Sequence, residues 1–451
     1  MTDTIIAQST PSGQSALALL RISGTLCPKI AAEALALPYP TPRTSYLRDY
    51  LDGESHEMLD QVLVVFFAEG NSFTGEPTLE ISCHGNDLIV SKIIQDLIRR
   101  GCRIAFPGEF SKRAFLSGRI DLTQAESIAE LISAKSEAEL KIARFNLKGM
   151  LSRRFADLQD AILDLQAKLE ASIDFPEDDI DEEKKDSLHL LLNSILTEIN
   201  RMISSSTKKT TLSNALKVVL IGSPNAGKST LFNGMLGQHR AIVSDSPGTT
   251  RDYISKELTI GEFRVELIDC AGIRKAETDT ERLGVDMALE LLDEASIILF
   301  VIDRSVPYPK ELNEMVIDRL RDKNVILIEN KADLPPDPSS RDNPDIEDNI
   351  TLCAHDQSDL SRLFDQVLNL LSKIYPDDPS KDLIVNERHS ALLKYAADHI
   401  VEALQRLSSS DGNEFVLQEL NLSREYLDEI IGIKTNEDVL DKLFGQFCIG
   451  K

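Results

Sequence analysis

The residues Gly222-Ser-Pro-Asn-Ala-Gly227-Lys228-Ser229 spell GxxxxGK[ST] directly after the apolar run 217–221, and no other segment restricts the fold of this chain so tightly. Apolar β-branched residues before the motif predict a strand. The apolar residues after it, from Leu231, predict a helix, which completes the strand–loop–helix context that the motif requires. The glycines let the backbone curl so that successive N–H groups point at phosphate oxygens. Lys228 adds a positive charge for the β and γ phosphates, and the Ser229 hydroxyl is suited to ligating Mg²⁺. Further apolar runs at 264–269, 297–302 and 324–329 are separated by helical patterns, so a mostly parallel sheet covered by helices is expected.

The chain has 451 residues, enough for roughly three domains. Hydrophobic residues at 42% and charged residues at 27% match a globular protein. No stretch approaches the ~20 apolar residues of a spanning helix, and the start lacks the basic and apolar regions of a secretory signal. The six cysteines are scattered without a CxxC pair, which favours reduced thiols in a cytoplasmic setting. A formal charge of −25 argues against a protein that coats nucleic acid nonspecifically. A local basic run, Lys141, Arg144, Lys148, Arg153 and Arg154, reads either as a phosphate patch or as a solvated helix face.

Four segments emerge. Residues 1–118 carry short apolar runs of strand length at 16–22 and 61–67, and a helical pattern at 87–100 stopped by Gly101. Residues 119–213 are helical: Leu151, Phe155, Leu158, Ile162, Leu165 and Leu169 form one apolar stripe. Leu188, Leu192, Ile195, Ile199 and Met202 form another. Residues 204–213, rich in Ser, Thr and Lys, read as a linker. Residues 214–375 hold the alternating α/β pattern with a surface loop at 335–344, and residues 376–451 return to helix. The simplest architecture is multidomain: a mixed α+β N-terminal domain, and an all-α helical domain into which an α/β domain is inserted. Two independent helical domains are the alternative.

Asn330-Lys331-Ala332-Asp333 follows an apolar strand and falls at the carboxyl edge of the sheet, where ligands bind. The Asp333 carboxylate can accept from both N1–H and the 2-amino group of guanine. Adenine offers neither donor, so GTP is the expected nucleotide. Asp269-Cys-Ala-Gly272 closes another strand: Asp269 would hold Mg²⁺ through water, and the Gly272 amide would sense the γ-phosphate. Cys270 reads as a small buried side chain. Gly248-Thr-Thr-Arg-Asp252 suits a switch loop in which Thr250 completes the Mg²⁺ shell.

Ile273 stands where a water-orienting glutamine is usual, and an apolar side chain cannot polarise water. Glu277, Asp279 and Glu281 are the nearby acids. Arg251 and Arg274 are candidate charge-compensating groups. Alternatively, the amide oxygen of Asn225, with switch-loop carbonyls, could bind a monovalent cation beside the phosphates.

These motifs, together with Asp3-Thr-Ile-Ile-Ala-Gln, Leu20-Arg-Ile-Ser-Gly24, Pro107-Gly-Glu-Phe-Ser, Asp121-Leu-Thr-Gln-Ala-Glu and Phe447-Cys-Ile-Gly-Lys451, resemble the MnmE or TrmE family of tRNA-modification GTPases across the whole chain. The resemblance implies a homodimer whose N-terminal domain binds a reduced folate of the 5-formyl- or methylene-tetrahydrofolate type. It implies an FAD- and NADH-dependent partner protein, with which an aminomethyl-type group is installed at carbon 5 of the wobble uridine of certain tRNAs. Arg21, Glu80, Arg119 and Lys451 match folate-contacting positions, and Cys448 matches a cysteine needed for modification. Glu281 matches the water-orienting acid. Asn225, Ser244, Ser246 and Thr249 match a potassium site. Nucleotide contacts are then expected at Asn225, Ala226, Gly227, Lys228, Ser229, Thr230, Ser244, Thr249, Thr250, Asp269, Gly272, Asn330, Lys331 and Asp333. Cys353-Ala-His355 departs from the usual Ser-Ala-Lys/Arg type, so contact with the base there is expected through the backbone. A ribosome-assembly switch and a membrane-remodelling GTPase remain alternatives; the first does not explain Arg21, Glu80 and Cys448, and the second lacks a basic amphipathic face.

Overall fold

The computed structural model describes residues 3–174, 182–213, 215–238, 253–270, 289–308, 316–321, 323–338, 346–374, 384–409, 412–447 and 449–450. The chain divides into two compact units, one formed by residues 1–132, 144–197 and 392–451, the other by 133–143 and 198–391.

The first unit opens with a six-stranded sheet of β1 (Thr4–Gln8), β2 (Ser15–Ser23), β3 (Ser45–Leu51), β4 (Met58–Phe67), β5 (Thr78–Gly85) and β6 (Cys102–Ile104), in the order β3-β4-β5-β2-β1-β6. All pairs are antiparallel except β1 with β6. Alternation along β4 buries Val62, Val64 and Phe66 in a core shared with Ile22, Leu79 and Ile81, and with Ile30 of α1 (Cys27–Leu35) and Ile93 of α2 (Asp87–Arg99). Each such fully buried side chain contributes about 1.5–3 kcal/mol. The intervening residues turn outward, so Leu47 and Leu63, paired across β3 and β4, are 55% and 44% exposed. Asn86 caps α2 by accepting from the Leu88 amide, and Gly101, at φ +101°, follows its end.

After β6 the chain forms α3 (Glu109–Leu116), α4 (Leu122–Ser133), α5 (Glu137–Leu147), α6 (Met150–Asp174) and α7 (Glu182–Ser213) in succession. The Asp121-Leu-Thr-Gln sequence is a reciprocal cap: Asp121 Oδ1 accepts from the Gln124 amide at 2.9 Å, while Gln124 Oε1 accepts from the Asp121 amide at 3.1 Å. Both predicted stripes, on α6 and α7, are buried throughout. The linker expected at 204–213 is instead the end of α7. Ser204, Ser205 and Ser206 each return a hydroxyl bond to the carbonyl three residues earlier, so their polar groups are satisfied within the helix. Local composition signalled a break that this back-bonding and the burial of Ser205 override.

In the second unit β7 (Leu216–Gly222), β8 (Tyr253–Ile260), β9 (Phe263–Cys270), β10 (Ile297–Asp303), β11 (Val325–Asn330) and β12 (Asp348–Thr351) form a sheet in the order β12-β11-β10-β7-β9-β8. Every pair is parallel except the β8–β9 hairpin. Apolar clusters line both faces, which is why the central strands read as unbroken hydrophobic runs. On one face lie α8 (Lys228–Gln238) and α9 (Gln357–Ile374).

The chain closes with α10 (Glu387–Ser409), α11 (Asn413–Ile431) and α12 (Glu437–Phe444). Helix α11 runs antiparallel to α6, with Gln159 donating to Asp428 at 2.7 Å and Gln166 to Asn421 at 2.8 Å. The multidomain α/β plus all-α architecture expected from the sequence is therefore the one observed. No helix among the described residues is long and apolar enough to cross a membrane.

Candidate functional site

The phosphate loop joins β7 to α8, in the central part of the parallel sheet. Two of its glycines are required sterically. At Gly222, φ +150°, a Cβ would stand 2.0 Å from the Val301 carbonyl oxygen; at Gly227, φ +93°, it would stand 2.2 Å from Asn330 Nδ2. Asn225 lies between them in the left-handed region, at φ +62°. The ammonium of buried Lys228 donates to the carbonyls of Gly222 and Ser223 at 3.1 and 2.9 Å, and burial pushes its pKa down against the pull of Asp269.

Ser229 Oγ donates to Asp269 Oδ2 at 2.7 Å. Asp269 closes β9 and is buried, and its Oδ1 has no hydrogen-bond partner among the described residues. A hydroxyl beside an under-satisfied carboxylate oxygen is the hard-oxygen chemistry that suits Mg²⁺. The neighbouring Cys270 is buried, and burial pushes its thiol up to about 12.

Asn330 does a task that its motif alone did not disclose. Its Nδ2 donates to the Ala226 carbonyl at 2.8 Å, and its Oδ1 accepts from the Ala354 amide at 3.1 Å. It thereby staples the phosphate loop to the segment after β12. Lys331, at φ +65°, bridges to Asp303 Oδ2 at 2.5 Å. Burial opposes ionisation of Asp303, but the bonds from Lys331 and Ser305 outweigh it and hold the carboxyl below its ordinary range. Asp333 is exposed, and its carboxylate makes no hydrogen bond to the described residues. Ala354 is buried whereas His355 is exposed, so the backbone of this segment faces the staple.

In the N-terminal unit, Arg21 of β2 lies opposite Glu80 of β5, and its Nε donates to Glu80 Oε1 at 2.9 Å. The guanidinium carbon stands 5.9 Å from the ring centroid of Phe110. The C-terminal tail comes to this pair: Arg21 Nη1 donates to the Gly450 carbonyl at 3.4 Å. Arg119 is not joined to them by any described contact; it is exposed and donates to the Gly70 carbonyl at 2.9 Å. Ser244, Ser246, Thr249, Thr250, Arg251, Gly272, Ile273, Arg274, Glu277, Asp279, Glu281, Cys448 and Lys451 lie outside the described residues.

Sequence reasoning missed one polar cluster entirely. Buried Arg113 donates to Asp3 Oδ1, Glu76 Oε2 and Glu109 Oε1 at 2.9, 2.9 and 3.0 Å, and Arg103 bridges Asp3 and Glu109 from the other side. Hydrogen bonding from Arg103 is the main cause of the lowered Asp3 pKa. Burial would raise Glu109, but its bonds from Arg103, the Phe106 amide and Arg113 win and lower it. Its members are spread from residue 3 to residue 113, and no local spacing marks them as partners.

A family model described as the MnmE helical domain matches residues 122–448, and one described as the GTP-binding protein TrmE N-terminus matches residues 4–119. The tRNA modification GTPase MnmE of Opitutus terrae is 40% identical over 450 residues, covering 100% of this chain and 99% of that protein. The proteins of the same name from Desulforamulus reducens and Thermosipho melanesiensis are 37% and 35% identical, covering 100% of this chain and 99% and 100% of their own lengths.

Proposed function

The chain belongs to the MnmE family of tRNA modification GTPases, and from that premise we propose a potassium-stimulated GTPase whose hydrolysis serves a folate-linked tRNA modification. With an FAD- and NADH-dependent partner protein, it installs an aminomethyl-type group at carbon 5 of the wobble uridine of certain tRNAs. A reduced folate supplies the one-carbon unit.

In this reading Lys228 and the loop amides from Asn225 to Thr230 hold the phosphates, and Asp333 selects guanine. Ser229 and Thr250 hold Mg²⁺, with Asp269 beyond a water, and Gly272 meets the γ-phosphate. The bond from Ser229 to Asp269 and the unpartnered Oδ1 support that donor set. Asn225, Ser244, Ser246 and Thr249 hold potassium, which supplies positive charge beside the phosphates where other GTPases use an arginine. Glu281 orients the attacking water in place of the absent glutamine.

The observation that carries the modification half of the proposal is the arrival of the C-terminal tail at Arg21 and Glu80. Folate is assigned to Arg21, Glu80, Arg119 and Lys451, and Cys448 to the modification chemistry. The guanidinium and carboxylate suit a glutamate tail and a pteridine donor face respectively. The outward sheet face that bears Leu47 and Leu63 also bears Arg21 and Glu80, which supports the homodimer as its cover. The buried free thiols Cys27, Cys83, Cys102 and Cys270 support action in a reducing cytoplasm.

Nucleoside analysis of tRNA from cells lacking the protein tests the assignment. Loss of the carbon-5 group from wobble uridines is expected; unchanged uridines would overturn the modification role and leave the GTPase intact.

A further inference from the structure

The C-terminal tail is anchored on both sides of Cys448, and the second anchor is a seat built by the N-terminal sheet. Upstream, the Phe444 ring packs against Phe115 and Phe447, with centroids 6.3 and 5.2 Å apart. The Phe444 carbonyl approaches Gly108 so closely that a Cβ there would stand 2.4 Å from its oxygen. Downstream, buried Gly450 lies against the turn between β1 and β2. Its carbonyl accepts from Ser9 Oγ at 3.1 Å and from Arg21 Nη1 at 3.4 Å.

The seat is shaped for glycine. Gly450 has φ +91°, and a Cβ on it would meet Gln8 O at 2.7 Å and Ser9 Cα at 2.9 Å. Both are backbone atoms, and neither can yield by a rotamer change. Ser9 is itself fixed, because its amide donates to the Leu19 carbonyl at 2.8 Å. Arg21 is fixed by Glu80 and by the ring of Phe110. By contrast the side chain of Ile449 is 57% exposed, so the contacts that retain this end of the chain are made by the Gly450 backbone.

The geometry points to Ser9 and Gly450 as a latch, a pair of positioning residues that hold the thiol-bearing tail at the Arg21–Glu80 site. Chain geometry keeps the Cα atoms of Cys448 and Gly450 within about 7 Å of each other, so seating the glycine confines the cysteine. The Ser9 hydroxyl spends its donor on a main-chain carbonyl and leaves the Glu80 carboxylate to Arg21. The latch rests on the reading that Cys448 takes part in modification, but it can be tested apart from that reading.

The test uses the full chain with Cys353→Ser, which removes the one described cysteine that is not buried. The labelling rate of Cys448 by a thiol reagent is compared in the parent, Ser9→Ala, Ser9→Thr and Gly450→Ala proteins, folded and in denaturant. With the latch, Ser9→Ala shifts the folded rate toward the denatured rate by about threefold to tenfold, the effect of losing one hydrogen bond. Gly450→Ala shifts it the same way by unseating the glycine from the Gln8 and Ser9 backbone. Ser9→Thr keeps the parent rate. Unchanged labelling in both Ser9→Ala and Gly450→Ala would overturn the latch. Thermal unfolding and GTP turnover at parent values exclude general misfolding. Cys448→Ser, assayed for tRNA modification, judges the underlying reading separately: full modification would sink the role of Cys448 while the labelling data still decide the latch.

Discussion

Asn330 and Ala226 lie 104 residues apart in sequence and are joined by a 2.8 Å hydrogen bond from the Asn330 amide to the Ala226 carbonyl. The bond ties the end of β11 to the apex of the phosphate loop. The same side chain accepts the Ala354 amide, so three loops share one buried group.

Asn330→Ala would leave the Ala226 carbonyl and the Ala354 amide without this partner. A buried group so orphaned costs about 1–3 kcal/mol. Urea denaturation should show a loss in that range, and titration with GTP should show affinity reduced by about tenfold or more. Normal stability with normal affinity would show that the staple carries no energy.

Asp333→Asn replaces an acceptor by a side chain that also donates. GTP affinity should fall by about a hundredfold as the two guanine donors lose their common carboxylate. Xanthosine triphosphate, which carries a carbonyl in place of the 2-amino group, should bind the variant better than the parent. Competition binding with both nucleotides measures the exchange.

Asn225 has a left-handed backbone that glycine also adopts, so Asn225→Gly removes the amide and retains the φ of +62°. GTP turnover of the parent should be about tenfold or more faster in potassium than in sodium. In Asn225→Gly the two rates should converge with nucleotide affinity kept. Equal parent rates in the two salts would contradict the proposed cation site.

The Asp3–Arg103–Glu109–Arg113 cluster sets an acid limit on the first unit. Asp3 and Glu109 are both held below their ordinary values of 3.8 and 4.5. A lowered folded value means that the folded form binds protons less readily than the unfolded one. Their stabilisation is therefore full above about pH 5, begins to fall as pH drops past the ordinary values, and is lost below the folded ones. Arg113→Met removes the bonds to Asp3, Glu76 and Glu109 but leaves Glu76 with Ser23 and Glu109 with Arg103 and the Phe106 amide. It should therefore cost about 1.5–3 kcal/mol at neutral pH. The mutant should lose much of the cluster's dependence on pH between 5 and 2, read by circular dichroism.

Much of the fold was legible because its signals are local. The run from Val218 to Ile221 announces a strand by its unbroken apolar character, and the stripe from Leu151 to Leu169 announces a helix by its spacing. Asp121 and Gln124 form a cap that their three-residue separation encodes. Residues 204–213 misled because serine and threonine carry weak helix propensity, and their hydroxyl bonds to the preceding turn are visible only once the helix exists.

Sequence by itself determined the phosphate loop, the placement of Asp333 after an apolar strand, and the alternation that separates the two faces of the N-terminal sheet. Each follows from steric rules or periodicities that act over a few residues. Only the tertiary structure decided that Asn330 reaches Ala226, that Arg113 gathers Asp3, Glu76 and Glu109, and that Gly450 rests on Ser9 and Arg21. Gly450 and Arg21 are 429 residues apart, and a single hydrogen bond between them leaves no periodic trace in either segment. Such contacts form because the sheet, α3 and α12 bring the groups within reach, and folding must assemble those elements before the partners can meet.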